Sequence, residues 1–508
     1  MSKVTLPQDF ETRLFISNEF VVSKSADRLR VINPRTGEVV TSNVHVAGAE
    51  DVELAVVAAK EAFENGPWST MSGSRRGKLL WQLADLMEAN GAELAGLESL
   101  SMGSSPVLGQ AMVIKNAVDV FRYYAGWADK LSGESFPPED GLMKIVKHEP
   151  IGVCTAICAW NASLMAFAWK AAPALAVGNT VILKSSEKSP LGFLGIAKLI
   201  PTAGFPPGVV QFLSGAAETG KALALHPYIR KITFTGSGSA GRKILEAASK
   251  SNLKKVTLEL GGKSPAIMLT LTMLLNGKAP NCDYTRKATW ANFYARCSSA
   301  ILVNAGQVCA TTSRLYIHNS IAPQFIEGLK GIYRAAAEKM GPGDGPMGVP
   351  PVADEQQFRN ILFYIESGKE TAELIVGGAS KDYKGFWIEP TVFLEPSDDA
   401  AIYKEEIFGP VLTVKVFKDE DQVIGWANES EYGLAASIFT KDIERALRIA
   451  DQIKAGTVSI NSGPLPSVNT PVGGTKQSGW GRELGKYALD EFTETKSILI
   501  KIGPTPFD

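Results

Sequence analysis

The sequence predicts an α/β protein made of two halves plus a small strand element. Three observations carry that reading. Short β-branched runs alternate with helix-like segments from residue 151 onward, and a second alternating set follows residue 300. A strand-like run near the C-terminus, Thr495–Lys501, stands apart from both. At 508 residues the chain has room for about three domains.

Each element has its own signal. Leu79, Leu80, Leu83, Leu86 and Met87 recur at helical spacing and mark one face of a helix, which Asn90-Gly91 is placed to stop. The runs IGVCTAICAW, NTVILK, VVQFL, KITFT and KKVTLEL are short and apolar, as buried parallel strands are. Between them Leu164–Ala174, Pro190–Ile200, Thr219–Leu225 and Ala240–Ser251 read as helices. In the second set LYIH (315–318), VLTVKVF (411–417), ASIFT (436–440) and TVSIN (457–461) read as strands. Phe325–Met340 and Ile443–Ile453 read as helices, and no internal repeat or low-complexity tract interrupts the pattern.

Composition narrows the function. Lys plus Arg number 52 and Asp plus Glu 53, a net charge of −1, unlike the basic excess of a nucleic-acid binder. Hydrophobic residues at 45% and charged residues at 21% belong to a globular chain rather than a disordered one. Five cysteines are odd in number and few for the length, which argues against a secreted disulfide scaffold. The histidines are His45, His148, His226 and His318; no two share a metal-ligand spacing, so no metal is expected. No run reaches the ~18 apolar residues of a membrane span. MSKVTLPQDFETRLF lacks a secretory pattern, and IGPTPFD carries no anchor. The expectation is a reduced, cytoplasmic protein with neither a membrane nor a nucleic-acid partner.

Two segments carry candidate chemistry. TGSGSAG (235–241) places Gly236, Gly238 and Gly241 in a G-x-G-x-x-G pattern after a strand and before a helix. Such a turn aims backbone N–H groups and a helix N-terminus at a phosphate. The same pattern also fits a turn without a ligand. Glu259 lies 18 positions after Gly241, near where a ribose-binding carboxylate would stand. It also sits at a strand's C-terminal end before a double glycine, where α/β sheets place chemistry. Cys309, in NAGQVCATTSR, would by itself more often be an inert packing residue than a nucleophile.

LELGGKSP with Glu259, followed by GQVCATTSR with Cys309, resembles the two active-site signatures of the NAD(P)-dependent aldehyde dehydrogenase superfamily. PIGVCTAICAWN, ALAVGNTVILKSSE, ITFTGSGSAG, EEIFGP and PVGGTKQSGWGRE agree in order, so the resemblance runs from about residue 15 to 502. It implies an α/β fold with a Rossmann-type cofactor domain, an α/β catalytic domain and a β-strand oligomerisation arm. The implied boundaries are 1–130 with 151–261 for the cofactor domain, 262–485 for the catalytic domain, and 131–150 with 486–508 for the arm. A homodimer or homotetramer follows from the arm.

The resemblance also assigns roles. Cys309 would attack a small-molecule aldehyde as thiolate, which calls for a pKa below the usual value of about 8.5. The Asn161 side-chain amide and the Cys309 N–H would hold the oxyanion, and Glu259 becomes the general base that activates water against the thioester. Ribose binding passes from Glu259 to Lys184 and Glu187. Trp160, Gly236 and Ser237 serve the adenosine half of the cofactor, and Glu406 and Phe408 the nicotinamide ribose. A carboxylate at Glu187 favours NAD over NADP, with NADP possible. Bland readings stand beside these: Asn161 as a helix cap, and Lys184 with Glu187 as a solvated charge pair. Cys154, Cys158, Cys282 and Cys297 are expected to be structural, the first two on one face of a strand.

Two departures from the family pattern stand out. Ala162 and Val472 occupy positions where phenylalanine is frequent, leaving Trp169 as the aromatic wall and implying a wide mouth for branched or bulky aldehydes. Glu259 and Cys309 are 50 positions apart, about fifteen more than relatives usually have, and longer loops add little closure entropy. The extra length falls in 269–287, LTLTMLLNGKAPNCDYTRK. It is either an exposed excursion or misassigned coding sequence. The alternative function is accordingly a catalytically impaired member of the fold, acting as an NAD-binding or structural protein.

Overall fold

The computed structural model of the chain describes residues 5–138, 140–269, 301–342 and 348–505. Apart from Leu269, the segment 269–287 lies outside the described residues, as do Cys282 and Cys297. The five early runs form the parallel centre of an eight-stranded sheet, in the order Val210–Ser214, Thr180–Ser185, Val153–Ile157, Lys231–Thr235 and Lys255–Glu259. The hairpin Leu14–Ile16/Glu19–Val21 extends one edge antiparallel. Gly479–Trp480 closes the other edge, so a piece of chain from the second half completes the first sheet.

Alternation along the central strand splits the core in two. Cys154, Ala156 and Cys158 face helices Gly73–Ala89, Lys115–Ala125 and Ser163–Ala176, while Val153 and Ile157 face Ala49–Glu64 and Gly238–Ser251. Cys154 and Cys158 therefore share one face, as expected. Burial pushes both thiols up to about 12, the condition of inert packing cysteines.

The four later runs join Glu373–Val376, Thr391–Leu394 and Ser264–Met268 in a seven-stranded sheet, in the order Glu373–Val376, Thr391–Leu394, Val411–Phe417, Thr312–His318, Ser264–Met268, Ala435–Phe439 and Thr457–Ile460, parallel except at the first. Thr493–Lys501, isolated in the sequence, pairs antiparallel with Leu142–Pro150 over nine residues, with Glu134–Phe136 outside it. One helix expectation is corrected: Pro190–Ile200 is two pieces, Leu191–Ala197 and Leu199–Thr202. The Asn90-Gly91 stop holds, and a further helix, Gly91–Met102, follows it at once. Asn90 caps the C-terminus of the first helix, yet its chain turns directly into the second.

The two large sheets meet end to end. Only residues 260–263 separate the C-terminal end of Lys255–Glu259 in the first from the start of Ser264–Met268 in the second. Loops leaving one sheet and loops entering the other are thereby gathered into one cleft, the usual place for chemistry in α/β proteins.

Candidate active site

Most of the candidate residues sit on loops that this junction forces together. Glu259 ends its strand, Gly261-Gly262 make the crossing, Cys309 precedes Thr312–His318, and Glu406 and Phe408 precede Val411–Phe417. Gly262 packs on the nucleophile loop: a Cβ there would lie 2.5 Å from the Cys309 carbonyl oxygen. The Gly262 N–H donates to Glu406 Oε1 at 3.0 Å, and a Cβ on Gly261 would collide with the same carboxylate. The double glycine thus exists for close approach rather than for a turn alone.

Asn161 is tied to the nucleophile loop as well. Its Nδ2 donates to the Gln307 carbonyl at 3.0 Å, two residues before Cys309. The helix that follows takes Ala162 as its N-cap and has no side-chain cap, so the capping alternative for Asn161 fails. The other face of that helix carries a residue sequence reasoning missed. Lys170 is fully buried, ion-paired to Glu483, and its Nζ donates to Thr233 Oγ1 at 3.0 Å. Glu483 in turn exchanges two backbone hydrogen bonds with Val472, at 2.7 and 2.8 Å. The signal was available: a lone lysine inside SLMAFAWKAAPALA must be buried with a partner.

Charge in the cleft is expensive. Burial, and then the Glu483 carboxylate, raise Glu259 well above the ordinary 4.5, against the pull of Lys170 and Arg482. Its Oε1 is buried with no hydrogen-bond partner among the described residues. Such an oxygen is suited to take a proton from water. Burial also pushes the Cys309 thiol up to about 12, with the Glu406 and Glu259 carboxylates adding to it. The expectation of a lowered thiol pKa is not met. Two acids crowd the sulfur of this half-buried residue, so its surroundings disfavour the thiolate.

The cofactor candidates line the same edges. Lys184 ends on Thr180–Ser185, 5% exposed, with Glu187 exposed beside it and their charges 3.8 Å apart. The pair is therefore not the doubly solvated one of the bland reading. Burial lowers the Lys184 pKa, and the Glu187 carboxylate opposes that lowering. Gly236 follows its strand, donating to the Glu259 carbonyl at 3.0 Å, and Ser237 caps Gly238–Ser251 by accepting from the Ala240 N–H at 3.3 Å. That helix N-terminus faces outward, as an anion site requires. A Cβ on Gly238 would meet only Arg242 Nη1, at 3.5 Å, so the middle glycine of the motif is not sterically required.

Trp160 and Phe408, from opposite sheets, meet edge to face with ring centroids 5.3 Å apart. Phe408 holds φ 55°, a strained value for a bulky residue, and Gln357 Nε2 clamps its carbonyl at 2.9 Å. Burial raises Glu406 to about 7, countered by the Gly262 N–H and the Lys263 ammonium. A desolvated carboxylate wedged against backbone, a half-exposed ammonium–carboxylate pair and an exposed, serine-capped helix N-terminus form a donor and acceptor set that fits ribose hydroxyls and a diphosphate. Among the described residues no cluster of ligand-type side chains suits a metal ion.

Comparison with known proteins gives one answer throughout. The family model described as "Aldehyde dehydrogenase family" matches residues 20–498. An aldehyde dehydrogenase of Emericella nidulans is 43% identical over 497 residues, covering 97% of this chain and 96% of its own. A mitochondrial aldehyde dehydrogenase of Rattus norvegicus is 42% identical over 500 residues, covering 98% and 93%. An NAD+ complex of a Bacillus cereus aldehyde dehydrogenase superposes with a TM-score of 0.91 at 39% identity, covering 97% of each chain.

Proposed function

The chain belongs to the aldehyde dehydrogenase family, NAD(P)-dependent oxidoreductases, and on that premise we propose that it oxidises its aldehyde through Cys309, Asn161 and Glu259. The observation that carries the assignment is the convergence of the three on one junction: Asn161 bonded to the Cys309 loop, and the Gly261-Gly262 crossing from Glu259 packed on Cys309.

Cys309 loses its proton to a carboxylate of the cleft, and its sulfur adds to the aldehyde carbon. The oxyanion so formed is held by the second N–H of the Asn161 amide and the Cys309 backbone N–H, where one such donor is worth about 3–4 kcal/mol of barrier. Lys184 and Glu187 would hold the adenosine ribose, Trp160, Gly236 and Ser237 the rest of that half, and Glu406 and Phe408 the nicotinamide ribose. The nicotinamide supplies a hydride acceptor when bound. With the hydride of the aldehyde carbon given up to that acceptor, collapse of the oxyanion would leave a thioester on Cys309. Glu259 then takes a proton from water, whose oxygen adds to the thioester carbonyl and releases the acid and the thiol.

The raised pKa of Glu259 suits that role, since a base works best with a pKa near the working pH. Cys309→Ala is expected to abolish NADH formation with every aldehyde while leaving NAD binding intact; NADH formation at the parental rate would overturn the assignment. Glu187 supports NAD over NADP by repelling a 2′-phosphate. A strong preference for NADP in KM would refute that.

Finer points belong to the same reading. Exposed Phe136, Met143, Leu499 and Ile500 on the small antiparallel sheet, with Ile502 just beyond it, support a homodimer or homotetramer, checked by sedimentation. No helix among the described residues is long and apolar enough to cross a membrane. A cytoplasmic location rests on the sequence reading alone, beside a relative named as mitochondrial, and fractionation decides it. Nothing among the described residues favours the impaired alternative. Assaying the chain with and without about fifteen residues of 269–287 tests it, since a loop of that length is thermodynamically tolerable.

A further inference from the structure

We propose that Asn304 is a positioning residue for the reaction: its side-chain amide locks the oxyanion donor Asn161 to the nucleophile loop, so that both oxyanion donors are set by one hydrogen-bonded ring. The proposal rests on the reading of Asn161 given above.

The turn that holds Asn304 is strained. Asn304 has φ 49°, ψ 30° and Ala305 φ 52°, ψ 39°, both left-handed, immediately before Gly306 at φ 73°. Asparagine tolerates that region; alanine does not favour it, so the surroundings must impose it. What the turn secures is a set of bonds. Asn304 Nδ2 donates to the Asn161 carbonyl at 3.2 Å and to the Gln307 carbonyl at 3.3 Å. The Gln307 carbonyl also receives Asn161 Nδ2 at 3.0 Å, which uses its two lone pairs. Because both acceptors of Asn304 are carbonyls, its nitrogen must face them; a flipped amide would oppose oxygen to oxygen.

Gln307 is itself immobilised. It is fully buried, its N–H and Nε2 donate to the Asn304 carbonyl at 3.1 and 2.9 Å, and its Oε1 accepts from the Ala353 N–H at 2.8 Å. With one N–H of Asn161 committed to this fixed carbonyl, the other is presented in a single direction. Cys309, whose N–H is the second donor, follows two residues later on the same clamped loop. Removing the Asn304 amide frees the Asn161 main chain from that loop and leaves one lone pair of the Gln307 carbonyl unpaired.

The test is a double-mutant cycle in the full-length enzyme. Asn304→Gly removes the side chain while accepting the left-handed backbone. We expect kcat to fall about 10- to 100-fold, the cost of misplacing a catalytic group, with KM for NAD within about twofold. In an Asn161→Ala background the same change should add no further loss, because Asn304 acts through Asn161. Parental kcat in Asn304→Gly beside a crippled Asn161→Ala refutes this inference alone, as does fully additive loss. Parental kcat in Asn161→Ala refutes the oxyanion reading and this inference with it. Should Asn304→Gly not fold, Asn304→Ser, which keeps one donor, carries the same cycle.

Discussion

Replacing Glu98 by glutamine is expected to remove a pH dependence of stability that lies outside the chemistry. Glu98 is 5% exposed on the helix Gly91–Met102, where residues 94–102 are all buried. Ser163 Oγ donates to its carboxylate at the N-terminus of the helix that follows Asn161, and Gly192 leaves the space it occupies. Burial raises its pKa from 4.5 to about 7, against the lowering by Ser163. A raised folded-state pKa contributes stability that is fully present below 4.5 and is lost as the pH rises through 7. Between pH 5 and pH 8 the loss integrates to roughly 2–3 kcal/mol. Urea midpoints of parent and Glu98→Gln, converted to free energies at pH 5, 6, 7 and 8, measure it. Any fixed cost of the extra amide N–H cancels when the difference between the two proteins is followed along pH. The variant should gain on the parent by roughly 2–3 kcal/mol from pH 5 to pH 8, since the other buried acids are common to both. A difference that stays flat across this range would refute the reasoning.

Three further outcomes follow from the cleft. Lys170→Met should leave the Glu483 carboxylate buried and unpaired, destabilising the protein by about 3–5 kcal/mol, as thermal or urea unfolding would register; an unchanged midpoint would show the pair to be dispensable. Because burial and neighbouring carboxylates raise both Glu259 and Cys309, their basic forms grow with pH, and kcat/KM should climb from pH 6 to pH 9. The part of that climb owed to Glu259 should vanish in Glu259→Gln. Ala162→Phe and Val472→Phe should narrow the mouth and cut kcat/KM for benzaldehyde more than for acetaldehyde, which an NADH assay across an aldehyde panel would show. Equal losses for both substrates would sink the wide-mouth reading.

How much of this was legible beforehand varies with the range of the interaction. The strands of the first sheet were read from local apolar runs because burial on both faces leaves a contiguous signature. Cys154 and Cys158 were placed on one face by the two-residue period alone. Gly479–Trp480 was not, since a two-residue strand has no periodicity and joins its sheet only through Leu258 and Glu259. Glu98 and Lys170 were both passed over in the sequence; a lone charge inside an apolar helix announces burial, but it does not name its partner. The partner of Lys170 lies 313 residues along the chain.

By itself the sequence determined the α/β class, the parallel centre of the first sheet with several helices between its strands, and, through seven ordered motifs, the family and the residues worth watching. These are properties of local pattern, carried by side-chain period and short spacings. Only the tertiary structure decided how the watched residues act on one another. Asn161 does not cap its helix; it donates across the cleft to Gln307. The Cys309 thiol is pushed up rather than down, by burial at the junction of the two sheets and by the Glu406 and Glu259 carboxylates beside it. Burial and the field of distant charges depend on which loops the fold folds back upon each other, and no local run of residues encodes that.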